Sequence, residues 1–376
     1  MLKQISFFDG NRHFKIDKPI RLIECFAGYG SQALSLKYLG IEFEHWKIAE
    51  WAVKSIQAYK DMHFYEDTTD YSADHSKEWI IDFLFEKGIS ADYNKPMTRE
   101  QISRMGEDKI RTVYNNIIAT HNLVSVTNVK GSDLQITDTD KYNYILTYSF
   151  PCQDLSIGGL GKGMKKGSGT RSGLLWEIER MLDECTELPQ VLLMENVPQV
   201  IGKKNRDAFR DWFGKLESLG YKSYYEIMNS RDYDIPQNRD RLFVVSVLGD
   251  FYYDFPKHKK RLNNIKEFLE KTVSDSYRNV PISMIKAVDK KQVYIVTERG
   301  FSQTVTCKND RWHNVGLAKD DKGIRYLTER EVFRLMGVKD FDFDRICKNQ
   351  NKISLYHLAG DSIVVNCLMA IFKEML

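Results

Sequence analysis

The sequence predicts an α/β fold on a mostly parallel, Rossmann-like sheet, with a smaller β-rich unit attached. Three observations carry that reading. Apolar, β-rich runs alternate with helix-periodic segments through the first two thirds of the chain, the pattern of βαβ units. A glycine-bearing turn joins the first apolar run to the first helical segment. After Gly249 the alternation stops, and short β-like pieces lie among Lys, Asn and aromatic residues.

Taken in order, Arg21 to Ala27 is a buried strand and Ser31 to Leu39 the helix after it. His45 to Glu50 and Ala52 to Tyr59 repeat the pattern. Residues 61–108 hold 12 acids and 5 bases with little periodicity, which marks an insertion in the framework. Helical spacing resumes from Asp108 to His121. Strands are then expected at Leu123–Val126, Tyr144–Tyr148, Val191–Met194, Tyr224–Met228 and Leu242–Val247, giving seven in one sheet. Helices are expected at Ser172–Cys185 and Asn205–Leu219. Beyond Gly249, Val293–Thr297 and Thr304–Thr306 read as short strands. Thr328 and Glu331 form a T-x-x-E capping box that opens a helix to Met336, and a last helix spans Ser362–Met375. The predicted division is 1–250 with its acidic, helical insertion at about 61–121, then 251–324, then 325–376 rejoining the large domain.

Composition sets bounds. The chain has 376 residues, 55 Lys+Arg against 52 Asp+Glu and 42% hydrophobic content, which excludes disorder and collagen-like repeats. No uncharged apolar run approaches the roughly 18 residues of a spanning helix, and the N-terminus lacks the apolar core of a signal peptide, so a cytosolic protein is expected. Six cysteines with no C-x-x-C pair argue against a zinc ribbon and against a disulfide scaffold. The net charge of +3 hides a distribution: residues 61–108 carry 5 − 12 = −7, the four bases between Asp154 and Glu177 face no acid, and residues 251–312 carry 13 − 7 = +6. A polyanion-binding cleft between the two basic segments, with the insertion pointing away, is therefore expected.

Four local patterns carry chemistry. In Phe26-Ala27-Gly28-Tyr29-Gly30-Ser31, the glycines permit close backbone approach to a ligand, and Glu50 ends the next strand where an acid holds ribose hydroxyls. Gly28-x-Gly30-x-x-Ala33 also fits the dinucleotide fingerprint, so an NAD-linked oxidoreductase stays open at this point. Phe150-Pro151-Cys152-Gln153 and Glu195-Asn196-Val197 each follow an apolar strand, which places a thiol and a carboxylate at the carboxyl edge of the sheet. Period-two alternation puts Gln237, Arg239 and Arg241 on one face, where two guanidiniums converge on a base or phosphate. The glycine- and lysine-rich run 158–171 contains no G-x-x-x-x-G-K-[ST].

This ordered set, F-x-G-x-G, P-C-Q, E-N-V, Q-x-R-x-R, then Arg325-x-Leu327-Thr328-x-x-Glu331 and Gly360-Asp361-Ser362, resembles the cytosine-C5 DNA methyltransferases along nearly the whole chain. Residues 148–156 and 162–180 resemble bacterial CpG-specific members; the recognition segment does not carry that likeness. The resemblance implies the S-adenosylmethionine-dependent methyltransferase fold, with residues 251–324 as target-recognition domain. It also implies methyl transfer to C5 of cytosine in duplex DNA, a cognate restriction endonuclease where the enzyme serves restriction and modification, no membrane, and a monomer. An RNA cytosine-C5 methylase and a catalytically dead DNA-binding relative are the competing readings. The exocyclic-amine methylases are disfavoured because their [DSN]-P-P-[YF] tetrapeptide is missing.

By the same resemblance, Cys152 is the nucleophile, Glu195 protonates the cytosine ring, Asn196 orients that carboxylate, Arg239 holds Glu195, and Arg241 holds the cytosine carbonyl or a phosphate. Phe26, Gly28, Gly30, Glu50, Trp51, Ser125, Pro151, Asp361, Ser362 and Ile363 form the S-adenosylmethionine pocket. Gln153, Ser156, Lys162, Lys165, Lys166, Arg171, Gln237, Lys308, Asn309, Arg311 and Trp312 are the DNA-contact candidates. Two positions depart from the family pattern. Ser125 stands where an acid usually meets adenine, and Asp361 stands where the family has Asn, so an amide donor is replaced by an acceptor.

Overall fold

The computed structural model describes residues 12–151, 155, 163–167, 169–257, 259, 261–308 and 314–376. Its centre is a six-stranded sheet. In chain order the strands are β1 (Ile20–Cys25), β2 (Phe43–Ala49), β3 (Asn143–Tyr148), β4 (Val191–Asn196), β5 (Tyr221–Asn229) and, after the two-residue β6 (Gln237–Asn238), β7 (Asp240–Leu248). The spatial order is β2-β1-β3-β4-β7-β5, parallel through β4 and antiparallel at β7. Both faces are covered, so β3 and β4 are buried along their whole length and β1 at every position but Arg21. Alternate residues feed opposite layers. Leu22, Ile145 and Leu193 join one cluster with Leu34 of α1 (Ser31–Leu39) and Leu368, while Ile23, Leu146 and Leu192 join another with Ile178 and Trp212.

The helices α2 (Val53–His63), α6 (Leu175–Glu184) and α7 (Arg206–Ser218) follow β2, β3 and β4 respectively. Between α2 and β3 the insertion folds into α3 (Lys77–Lys87), α4 (Arg99–Ser103) and α5 (Glu107–Ala119). Its weak periodicity concealed real helices with clear boundaries. Ser76 caps α3, Gly88 ends it in the left-handed conformation, and Thr98 with Gln101 makes a capping box on α4. Ile80, Leu84, Ile102, Ile110 and Val113 form a separate apolar cluster there.

The seventh expected strand, Leu123–Val126, does not form. Asn122 makes one isolated bridge with Ile48, and its side-chain oxygen accepts from the backbone N–H groups of both Glu50 and Val124. The chain turns there, with Val124 at φ 71°. The appended unit is also not β-rich among the described residues. Strands β8 (Ser302–Gln303), β9 (Ala318–Asp320) and β10 (Gly323–Arg325) are two or three residues long, beside α8 (Ile282–Asp289) and α9 (Val296–Arg299). Of the expected strand at 293–297, Ile295 makes one isolated bridge with Leu317 and α9 begins at Val296, and 304–306 has no strand.

The chain then forms α10 (Glu329–Leu335), α11 (Asp340–Ile346), α12 (Lys352–Asp361) and α13 (Val365–Met375). The Thr328–Glu331 capping box is present, and Glu331 also takes a bidentate bond from the fully buried Arg325 at 2.8 Å to each oxygen. By length and composition Lys352–Met375 is apolar enough to cross a membrane, but 67% of that stretch is buried, with Leu368, Ile371 and Phe372 in the sheet's own cluster. It is a core element.

Candidate active site at the carboxyl edge of the sheet

The first half of the site lies where β1 and β2 end. Glu50 is buried; its carboxylate accepts from the N–H of Gly28 at 2.9 Å and of Ala52 at 2.8 Å. Burial pushes its pKa up to about 7 against the pull of those donors. The two glycines serve different ends. A Cβ on Gly28, at φ 58°, would meet nothing within 4 Å, so space remains for a ligand. A Cβ on Gly30 would meet His63 and Tyr59, so that glycine answers to the packing of α2.

Across from the glycine turn, Ser362 Oγ lies 2.5 Å from Ser31 Oγ, which joins the two ends of the chain. Phe26, Gly28, Ser31, Ser55, Tyr93, Ser149, His357, Asp361, Ser362 and Ile363 line one cavity of about 30 Å³. Among the described residues its lining has carboxylate, hydroxyl and aromatic groups and no Lys or Arg. That set suits a ribose diol and a cationic group better than a pyrophosphate, so it fits S-adenosylmethionine and disfavours the dinucleotide alternative. Asp361 accepts from the Cys307 thiol at 2.7 Å, so the acid at this position has a donor of its own. Ser125 is buried with its hydroxyl 2.8 Å from that of Thr127, and Trp51 packs against the insertion's apolar cluster.

The second half lies where β3 and β4 end. Glu195 is 8% exposed and its carboxylate is 3.1 Å from the Arg241 Nε. Burial raises its pKa although Arg241 and Arg239 oppose the shift. The expected division of labour between the two arginines is corrected. Arg239 sits between β6 and β7, not inside one continuous strand, and its guanidinium donates to the carbonyls of Val305, Gly360 and Ser362 at 2.7–3.1 Å. Arg241 is the described ion-pair partner of Glu195. Asn196 also differs from expectation: its Nδ2 donates to the Phe150 carbonyl at 2.9 Å, and its Oδ1 accepts from the Val197 N–H. It therefore fixes the turn leading to Cys152 and makes no described bond to the Glu195 carboxylate. Pro151 extends that turn, its carbonyl accepting from the Ser172 hydroxyl at 2.7 Å.

Gln237, expected at the DNA, is fully buried; its amide donates to Leu335 O at 2.7 Å and accepts from Val305 N–H at 2.8 Å, so both ends are used inside the protein. Lys165 and Lys308 are exposed. Lys166 is paired with Glu179 at 2.8 Å, and Arg171 bonds Asn94. Cys152, Gln153, Ser156, Lys162, Asn309, Arg311 and Trp312 lie outside the described residues. The Asn94 contact also means that the insertion does not point wholly away, since its tip reaches the basic segment.

Two pocket residues, Tyr93 and His357, are not among those expected, because nothing in their local sequence places them at the pocket. Glu24, an acid inside β1, is fully buried and supports α2 by accepting from Tyr59 at 2.6 Å, and burial pushes its pKa up to about 7.

The comparisons with known proteins agree with this geometry. The family model for C-5 cytosine-specific DNA methylase matches residues 87–292 and 256–376. The orphan methyltransferase M.SssI of Spiroplasma monobiae is 34% identical over 95% of this chain and 97% of its own length. The type II methyltransferase M2.ScrFI of Lactococcus lactis subsp. cremoris is 32% identical over 95% of this chain and 99% of its own. Among solved structures, the S. pombe Dnmt2 methyltransferase shares the fold at a TM-score of 0.64 and 17% identity, over 95% of this chain and 98% of that one. The Entamoeba histolytica methyltransferase EhMeth does so at 0.63 and 15%, over 96% and 98%. The chain belongs to the C-5 cytosine-specific DNA methylases, and is an S-adenosylmethionine-dependent DNA (cytosine-5-)-methyltransferase, EC 2.1.1.37.

Proposed function

We propose that this enzyme methylates cytosine within a specific duplex sequence by covalent catalysis from Cys152, after the target base is flipped out of the helix. The observation that carries this mechanism is the buried Glu195 carboxylate paired with Arg241 at the end of β4, beside the Phe150–Pro151 turn that leads to Cys152. C5 of cytosine is too weak a nucleophile to take a methyl group unaided, and a base stacked in a duplex does not offer C6 to a buried thiol.

The Cys152 thiolate forms a bond to C6, the C5–C6 π pair shifts to C4–C5, and the C4–N3 π pair moves onto N3, which leaves C5 as the nucleophilic end of an enamine. Glu195 delivers a proton to N3, and its burial, which raises its pKa against the pull of Arg241 and Arg239, favours the protonated form. Arg241 holds the Glu195 carboxylate in place. S-adenosylmethionine, when bound, supplies the methyl group as an electrophile on a cationic sulfonium. Once C5 is methylated, loss of its proton to a base or water returns the electrons that expel the thiolate. Glu50 and Gly28 would hold the ribose side of the cofactor, and Phe26, Asp361, Ser362 and Ile363 its other end.

The exposed Lys165 and Lys308 are the described candidates for phosphate contact, with residues 251–324 reading the base edges. A monomer acting alone, or beside a cognate restriction endonuclease, fits this reading. A target duplex carrying 5-fluorocytosine traps an adduct with the wild-type enzyme, because fluorine at C5 cannot leave as a proton does. Peptide mapping should place the adduct on Cys152. Methyl transfer that survives intact in Cys152→Ala would sink the mechanism. Mapping 5-methylcytosine across the genome of a methylation-free host gives the recognition sequence.

A further inference from the structure

We propose that Tyr93, at the tip of the acidic insertion, is a cofactor-site residue whose ring leaves its place against His357 to admit S-adenosylmethionine and then packs against the bound cofactor. The inference rests on the pocket described above being the cofactor site.

The loop holding Tyr93 is anchored to the segment that follows Glu50. Ser90 N–H donates to Trp51 O at 2.8 Å, and Val53 N–H donates to Ser90 O at 2.9 Å. Within the loop, Asp92 Oδ1 accepts from Asn94 N–H at 2.9 Å and the Ser90 hydroxyl donates to Lys95 O at 2.8 Å. This turn holds Tyr93 at φ 62°, in a left-handed conformation that non-glycine residues rarely adopt. The ring then lies over the pocket, its centroid 4.4 Å from that of His357 with the planes 19° apart, and its hydroxyl 3.1 Å from Ser55 Oγ. His357 stands one helical turn before Asp361, and both line the same cavity.

Size decides whether the ring must move. A cavity of about 30 Å³ has room for two or three waters at roughly 10–15 Å³ each, and none for a nucleoside. Most of the other walls, the glycine turn after β1 and the end of α12, belong to elements packed in the core. The Tyr93 loop is the wall that comes from the insertion, and its ring is held by one stacking contact and one hydroxyl bond. Once a ligand is in, an aromatic face beside the Asp361 carboxylate suits a cationic group. An aromatic pair contributes about 0.5–1.5 kcal/mol beyond its buried area, enough to slow ligand escape by up to about tenfold.

The test uses the full-length enzyme and measures S-adenosylmethionine affinity and release by stopped-flow fluorescence, with steady-state kinetics alongside. In Tyr93→Ala, release should accelerate by about tenfold and KM for the cofactor should rise several-fold, while KM for DNA stays within about threefold of wild type. Tyr93→Phe keeps the stacked ring and should release the cofactor nearly as slowly as wild type. Unchanged affinity and release in Tyr93→Ala would overturn the proposal. So would tighter binding, which would make the ring an occupant of the cofactor's own place, and so would Tyr93→Phe behaving like Tyr93→Ala. A wild-type enzyme that binds no S-adenosylmethionine would instead overturn the assignment of the pocket itself.

Discussion

Residues 61–121 and 251–324 both interrupt the framework, and they differ in where their apolar side chains go. In the first, Ile80, Leu84, Ile102, Ile110 and Val113 form one cluster with Val53 and Ile56 of α2. The second has a small cluster centred on Met284, Val293, Ile295 and Leu317, while its Tyr253, Ile265, Val305 and Val315 pack into the sheet's own cluster. It is fastened by directional polar bonds: Gln237 and Arg239 to Val305, Glu331 to Glu270 N–H at 2.8 Å, and Glu270 to the Thr328 hydroxyl at 2.6 Å. Apolar contact is non-directional and tolerates small shifts, whereas a buried hydrogen bond is lost over a fraction of an ångström. An element that must move can rest on the first kind of support. An element that must present residues to DNA in a fixed register needs the second.

The strongest way to break this contrast is Arg239→Ala. It leaves the buried carbonyls of Val305, Gly360 and Ser362 without this donor and should cost on the order of 3–5 kcal/mol. Calorimetry should show a lower melting temperature for the whole enzyme, and hydrogen exchange should show lost protection at 302–306. A melting temperature near wild type would mean the polar fastening is dispensable. Leu84→Ala comes next, opening a cavity in the insertion at a cost of about 3 kcal/mol. The loss should appear as faster exchange confined to residues 77–119, with β1, β3 and β4 still protected. If the sheet loses protection in step, the insertion is no separate unit. The smallest effect is expected for Arg99→Ala, since its ion pair with Asp82 at 2.5 Å has both partners about half exposed and is worth under about 1 kcal/mol. A larger loss in chemical denaturation would show that surface charge, not the apolar cluster, holds the insertion together.

Six of the seven expected strands form, because a strand covered on both faces writes its burial directly into its composition. The seventh failed for a side-chain reason: Asn122 satisfies the backbone groups that a ladder would have used, and period and propensity do not record that. Glu50, Glu195 and the Phe150–Pro151 turn stand at the sheet edge as their positions after apolar runs implied. Gln237, Arg239 and Arg241 do not share one face as alternation implied, because that rule presumes one unbroken strand and this one breaks at Arg239. Tyr93 and His357 were invisible for a plainer reason. They meet across 264 positions of chain, 357 − 93, and no local pattern encodes a contact of that kind.

The bond between Ser31 and Ser362 spans 331 positions, and it closes the pocket. Contacts between parts of the chain so far apart form late in folding, after the loop-closure entropy has been met. The cofactor can recognise the pocket only when both walls are present, so the ligand adds its binding energy to the finished fold and not to partly folded chains. A growing or truncated polypeptide would thus hold no methyl donor, and the cell's supply of S-adenosylmethionine would help decide how much of the newly made enzyme completes its fold.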